Sequence, residues 1–250
     1  MKILATGPSG PPEELEPLLQ AGHEVITGRP LDQPGRKAYT EAELIEAARG
    51  VHVILASHLE TVSRSVLEAA ADLRLVIVPF IGTDKIDLAA ASKLGVLVAN
   101  SPTPENFIAV AEATIGLILM LLKRIKHNEA KLRRGEWAQR QDRGEFLFGK
   151  TVGLVGLGRV GSHVARRLRN WDVRLLAADP YVPAAHAEGL DATLVDLDTL
   201  LAESDIVSLH ASLTDETRGL IGEKELRRMK PGALLVNTAR GEMADEEAVA

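Results

Sequence analysis

The sequence predicts an α/β protein of two doubly wound parallel-sheet domains joined by a long helix. Three observations carry that reading. Short runs of Val, Ile and Leu alternate with amphipathic stretches almost from end to end. The runs are apolar throughout, as strands covered on both faces must be. The rhythm breaks at Asn100-Ser101-Pro102-Thr103-Pro104 and restarts at Lys150.

Before the break, strands are predicted at Lys2–Ala5, His23–Thr27, Val51–Ser57, Leu73–Pro79 and Val96–Asn100. Helical patterns lie between them at Glu13–Gln20, Glu41–Ala48, Val62–Ala70 and Lys85–Lys93. Residues 1–100 form one domain on this reading and residues 101–250 the second. Glu105 to about His127 reads as one helix, longer than its neighbours, suited to carrying the chain between domains. Arg133 to Gly144 reads as a helix end and a surface loop. After Lys150, strands are predicted at Thr151–Val155, Val173–Ala178, Ile206–Leu209 and Ala233–Thr238. Helices follow at Arg159–Arg169, Leu197–Ala202 and Glu223–Met229. Asp245 has the look of an N-cap ahead of Glu246 and Glu247. That helix reaches Ala250 after about one turn, so the pattern is cut in mid-element.

Composition narrows the function. Apolar residues at 46% and charged ones at 26% suit a packed globular chain and argue against wholesale disorder. A net charge of −6 disfavours a grip on phosphate backbones or anionic membrane. Two Trp, two Tyr and four Phe leave little to stack on bases, so no nucleic-acid partner is expected. Without cysteine there is no disulfide, thiol nucleophile or thiolate-bound zinc. No His/Asp/Glu group has ligand spacing either, so no metal is expected. Met1–Ala5 runs at once into Gly7, Pro8, Gly10, Pro11 and Pro12, which is no secretory signal. The apolar run Ile115–Leu122 is bounded by Glu112 and by Lys123-Arg124, so no membrane span is expected. The expectation is a soluble, cytoplasmic protein.

The most informative segment is Thr151 to Gly161, an apolar strand running into Gly156-Leu157-Gly158-Arg159-Val160-Gly161 and then a helix. Gly156 permits the tight turn, Gly158 lets backbone approach a pyrophosphate, and Gly161 allows helix to pack on strand. The helix N-terminus faces the anion. A second strand ends in Asp179, 18 residues past Gly161, where a carboxylate accepts from both ribose hydroxyls. The same charge repels a 2′-phosphate, which selects NAD over NADP. The second domain is therefore predicted to be a Rossmann-type NAD-binding domain.

With these residues in place, the sequence resembles the D-isomer-specific 2-hydroxyacid dehydrogenase family over essentially its whole length. The matching stretches are GKTVGLVGLGRVG (149–161), DIVSLHASLTDETRGLIG (205–222) and MKPGALLVNTARGEMADEEA (229–248), with GTDKID (82–87) and NFIAVAEATIGLIL (106–119) before them. The resemblance implies a flavodoxin-like substrate-binding (catalytic) domain followed by the NAD domain. Arg240 matches the arginine that binds the substrate carboxylate and polarises the carbonyl, a task suited to a planar guanidinium fork. Arg159 and Val160 match the pyrophosphate contacts, and Asp179 the ribose ligand. His210-Ala211 and Thr238-Ala239 match loops lining the rest of the cofactor. In the first domain Ile81 and Gly82 match the turn whose amides hold the substrate carboxylate. Ser57 and His58 are expected to face the same site, with His58 read first as a surface-loop histidine and second as a substrate contact.

Several positions depart from the family pattern. Phe80 stands where glycine is frequent and Val78 where arginine often is, which makes the substrate site more apolar and weighs against phosphorylated substrates. Ser212 replaces a usual proline, and Glu242 a usual small residue. The family's proton donor, a histidine raised in pKa by a glutamate partner, follows the NTARG segment and so would lie beyond Ala250. None of the seven histidines matches it. The activity implied is NAD-dependent interconversion of a small 2-oxo acid and its D-2-hydroxy acid by a homodimer, the Glu105–His127 helix and the charged segment after it supplying the dimer surface. Two alternatives stand beside it: an NAD-sensing, corepressor-like binding protein, and a phosphite- or formate-type dehydrogenase on the same scaffold.

Overall fold

The structure, a computed structural model, describes residues 1–7, 12–30 and 32–249, apart from the Pro12 side chain. The proline-rich run at Pro8–Pro11 and the end of the chain at Ala250 fall outside these. Two compact units account for the fold, Met1–Asn106 and Phe107–Ala250.

The first unit runs β1 (Lys2–Ala5), α1 (Glu16–Gln20), β2 (Glu24–Thr27), α2 (Glu41–Ala47), β3 (Val53–Leu55), α3 (Arg64–Ala69), β4 (Leu75–Val78), α4 (Leu88–Leu94) and β5 (Leu97–Asn100). All strand pairs are parallel, in the order β2-β1-β3-β4-β5, which is the flavodoxin-like order. Leu4, Ile54 and Val76 form the buried centre, as expected for continuous apolar strands. Local signals set the helix starts. Thr40 and Glu43 close a capping box on α2, and the carboxylate of Asp87 accepts from the Ala90 amide 2.8 Å away at the start of α4. Gly95, at φ 71°, ends α4 in the left-handed region. Apart from β1, the strands of this unit are shorter than the apolar runs that signal them: only Val53–Leu55 of Val51–Ser57 is strand.

The second unit opens on the long helix. α5 (Pro104–Leu122) crosses the division between units and is followed by α6 (Ile125–Arg133), β6 (Thr151–Val155), α7 (Arg159–Leu168), β7 (Arg174–Ala178), α8 (Ala184–Glu188), β8 (Ala192–Leu194), α9 (Leu197–Glu203), β9 (Ile206–Leu209), α10 (Glu223–Leu226), β10 (Leu234–Asn237) and α11 (Glu246–Val249). The parallel order β10-β9-β6-β7-β8 is the Rossmann arrangement. Every residue of β6 is buried. The Asp245 carboxylate accepts from the Glu247 and Ala248 amides, so this residue caps α11 as its sequence suggests.

Two features differ from the sequence reading. α8 and β8 are too short to announce themselves by periodicity. The predicted Glu105–His127 helix is interrupted at Arg124, which sits at φ 51° between α5 and α6. Tertiary contacts enforce that break. The Glu145 amide donates to the Leu122 carbonyl at 2.8 Å, and Arg124 Nη1 to the Gln141 carbonyl at 2.5 Å. Asp142 docks the incoming segment, accepting from Lys131 Nζ at 2.6 Å and the Gln139 amide at 2.7 Å, with His127 Nε2 also 2.7 Å away. These partners hold its carboxyl well below the usual range. By length and composition α5 is long and apolar enough to cross a membrane. One of its faces, however, carries Phe107, Ala111, Thr114, Ile118 and Leu122, all buried.

Candidate active site

In an open parallel sheet, ligands bind beyond the carboxyl ends of the strands where the strand order reverses. In the second sheet that point lies between β6 and β9. The residues following them are Gly156 and His210-Ala211, which pack against each other. A Cβ on Gly156 would stand 2.5 Å from the Ala211 amide nitrogen, and its φ of 94° already excludes most residues.

The three glycines of the turn have separate physical reasons. Gly161 opens α7 against the turn, where a Cβ would collide with the Gly156 carbonyl oxygen. Gly158 has φ −70° and nothing within 4 Å of its Cβ position, so no contact inside the protein requires glycine there. A side chain there would point into open space beside the first turn of α7. The Arg159 and Val160 amides belong to that turn and have no intrahelical partner. A glycine needed by nothing within the chain, set before unpartnered helix amides, fits a close-lying phosphate.

Asp179 follows β7. Its Oδ2 accepts from the Leu157 amide at 2.8 Å and its Oδ1 from the Tyr181 amide at 2.9 Å. One bond to each oxygen orients the carboxylate and leaves a lone pair on each for a ribose hydroxyl. The glycine turn, the amides and the acid together fit a dinucleotide.

His210 Nε2 lies 2.9 Å from Ser208 Oγ, while its Nδ1 is buried without a partner. Burial pushes its pKa down to about 4. The imidazole is therefore neutral at pH 7. Between pH 6.5 and 4 the unfolded chain binds a proton here that the folded chain does not, so stability falls as pH drops through that window. The expected loss is about 3 kcal/mol by pH 4. Urea titrations at pH 7 and 4.5 on the wild-type and His210→Gln proteins check it, the variant losing this part of the slope.

Arg240 stands at the end of the loop that leaves β10. Asn237 braces this loop from both sides: Oδ1 accepts from the Ala239 amide at 3.0 Å, and Nδ2 donates to the Arg240 carbonyl at 2.7 Å. Thr238 is tied to α5 through Thr114, hydroxyl to hydroxyl at 2.9 Å. Arg240 Nη1 donates to the Ala239 carbonyl at 2.9 Å. Within the second unit, all the expected cofactor residues thus gather at the carboxyl ends of β6, β7, β9 and β10.

In the first unit, Phe80, Ile81 and Gly82 follow β4. The Ile81 carbonyl is capped by Asn100 Nδ2 at 2.8 Å. His58 is exposed and meets the Phe80 ring edge-on, with 5.3 Å between centroids. Two expectations need correcting. Val78 is core, at 4% exposure, so of the two Phe80 alone is placed to lend apolar character to a ligand site. The Ser57 hydroxyl turns inward: it is buried, donates to Glu60 Oε2 and accepts from the Leu59 amide.

That inward turn belongs to a network the sequence did not reveal. Arg36 Nη2 pairs with Glu60 Oε1 at 2.8 Å, their side chains 2% and 0% exposed. Thr6 Oγ1 donates to Glu60 Oε2 at 3.2 Å and accepts from the Ser57 amide at 2.9 Å. Arg36 Nη2 also reaches the Thr6 carbonyl at 3.2 Å. This cluster fills the β1/β3 reversal of the first sheet, so that point is sealed by the protein's own polar groups. Its members are 54 residues apart at the extreme, and no local spacing marks them.

Comparison with known proteins agrees with this geometry. Residues 115–250 match the family model described as "D-isomer specific 2-hydroxyacid dehydrogenase, NAD binding domain". The whole chain is 36% identical to D-3-phosphoglycerate dehydrogenase of Methanocaldococcus jannaschii, covering 46% of that protein. Over 83% of its length it is 37% identical to hydroxypyruvate reductase of Thermotoga maritima, covering 66% of it. The solved structure of NAD-dependent formate dehydrogenase from Staphylococcus aureus in complex with NAD superposes on the full chain with a TM-score of 0.85 at 30% identity, covering 76% of that structure. The chain thus spans less than half of the phosphoglycerate dehydrogenase it matches. A family model covering more than half of the chain, over a glycine turn and acid placed for a dinucleotide, settles the lineage: the chain belongs to the D-isomer-specific 2-hydroxyacid dehydrogenase family.

Proposed function

We propose that this chain binds NAD and clamps the substrate of an oxidoreductase interconverting a small 2-oxo acid and its D-2-hydroxy acid. The observation that carries the reading is Arg240, held by a doubly braced loop at the same sheet edge as the dinucleotide-shaped turn. NAD, when bound, would supply the hydride acceptor for oxidation and, as NADH, the hydride donor for reduction. The Arg159 and Val160 amides hold its pyrophosphate, and Asp179 its adenosine ribose, rejecting a 2′-phosphate by charge. Arg240 offers two parallel N–H groups to the substrate carboxylate and draws charge onto the carbonyl oxygen as an alkoxide develops there. His210, neutral and turned to Ser208, is not the proton donor.

An assay of NADH oxidation by the intact protein against glyoxylate, pyruvate, hydroxypyruvate and phosphohydroxypyruvate tests this. Turnover of at least one non-phosphorylated acid is expected, with NADPH inactive. Arg240→Lys keeps NADH affinity and lowers kcat/KM roughly 50-fold, the loss of a bidentate charged contact. A formate-type dehydrogenase on the same scaffold, which Phe80 does not exclude, is the second reading, and NAD reduction by formate with no oxo-acid turnover would replace the first with it.

Self-association is part of the proposal. Leu117, Met120 and Leu121 share the outer face of α5, and Ile125 begins α6 beside them, all exposed. A contiguous apolar face of this kind suits a second copy of the chain. Sedimentation equilibrium is expected to give a dimer that Leu121→Glu with Ile125→Glu converts to a folded monomer; an unshifted dimer would move the interface elsewhere.

A further inference from the structure

Thr114 is a polar side chain in an apolar stripe, with no solvent exposure. Its hydroxyl lies 2.8 Å from the Val110 carbonyl oxygen and 2.9 Å from the Thr238 hydroxyl. A hydroxyl carries one hydrogen and two lone pairs. The carbonyl can only accept, so the Thr114 hydrogen is committed to Val110. Turned toward Thr238 instead, it would leave two oxygens facing each other at 2.8 Å with no proton between them. Thr238 must then spend its own hydrogen on Thr114.

The consequence falls on the open side of Thr238. This residue is half-buried, follows β10 and stands two positions before Arg240. With its hydrogen directed at α5, it presents only an acceptor outward. We infer that Thr114 is a positioning residue: it fixes the polarity of the Thr238 hydroxyl, so that the loop accepts a hydrogen bond from the carboxamide N–H of a bound nicotinamide. This rests on the dinucleotide reading above. A ribose hydroxyl both donates and accepts and would be indifferent to that polarity. A carboxamide is not indifferent, because its two ends differ, and a fixed acceptor selects which end turns toward the loop.

The test is a set of binding titrations on the intact protein with NAD and with its 3-acetylpyridine analogue, in which a methyl group replaces the amide nitrogen. Wild-type protein is expected to prefer NAD by about fivefold, the worth of one hydrogen bond. Thr114→Val frees the Thr238 hydrogen to turn outward and reduces the preference below about twofold. Thr114→Ser, which restores the hydroxyl, keeps it. Thr238→Val removes the acceptor without touching the Thr114–Val110 bond and also abolishes the preference, which covers the case of a Thr114→Val protein that does not fold. An unchanged ratio in both valine variants, or a serine variant that behaves like valine, overturns the role of Thr114 while leaving NAD binding in place. Wild-type protein that binds neither dinucleotide overturns the cofactor reading itself.

Discussion

Gly158→Ala is expected to keep its melting temperature and lose roughly a hundredfold in NAD affinity, while Gly161→Ala loses stability as well. The two glycines sit three residues apart in one turn, yet they answer to different neighbours. At Gly158 the backbone is allowed to any residue and the added methyl meets nothing in the protein. Its only cost is to a phosphate at the α7 amides, where losing one or two charge-assisted hydrogen bonds costs about 3 kcal/mol. At Gly161 the methyl strikes the Gly156 carbonyl, a backbone atom with no room to yield. Overpacking of this kind costs roughly 1–3 kcal/mol before any ligand is considered. Thermal melts beside NAD titrations separate the two. Equal NAD affinity in wild-type and Gly158→Ala proteins would mean that the open space at Gly158 is not the cofactor's.

The second large effect is expected at Glu60. Glu60→Ala should destabilise the protein by about 3–5 kcal/mol, because it leaves Arg36 charged, buried and without its counter-ion. The hydroxyls of Thr6 and Ser57 lose their acceptor in the same step. Burial pushes the Glu60 carboxyl up, but the bonds from Ser57 and Arg36 outweigh that and hold it below its usual value. The folded state therefore binds the proton less readily than the unfolded one, and this stability is lost as pH falls through the carboxylate range. Arg36→Met with Glu60→Leu removes both charges together and should cost less than Glu60→Ala alone. Urea unfolding of the three proteins measures the difference. A single variant as stable as wild type would show that water reaches Arg36.

What the sequence determined by itself was whatever depends on neighbours along the chain. Strand and helix types followed from apolar runs and helical spacing, and the Asp245 cap followed from its place just ahead of Glu246 and Glu247. The dinucleotide turn was legible for the same reason: Gly156, Gly158 and Gly161 act on one another and on the helix they open. Asp179 was legible because a strand of fixed rise brings it back beside that turn. Tertiary structure alone decided what depends on residues distant in sequence. Arg124 leaves the helix because Gln141 and Glu145 take up the bonds of its neighbourhood, and nothing in the apolar pattern of α5 marks that residue. Ser57 turns inward because Glu60, Arg36 and Thr6 surround it, so a serine placed by its strand to meet ligand is used instead to close a sheet. Thr114 looks like a flaw in an apolar stripe until Thr238, 124 residues further on, is seen to bond to it. Backbone conformation is set within a few residues, whereas the proton and charge balance of a buried polar group is set by whatever the fold packs against it.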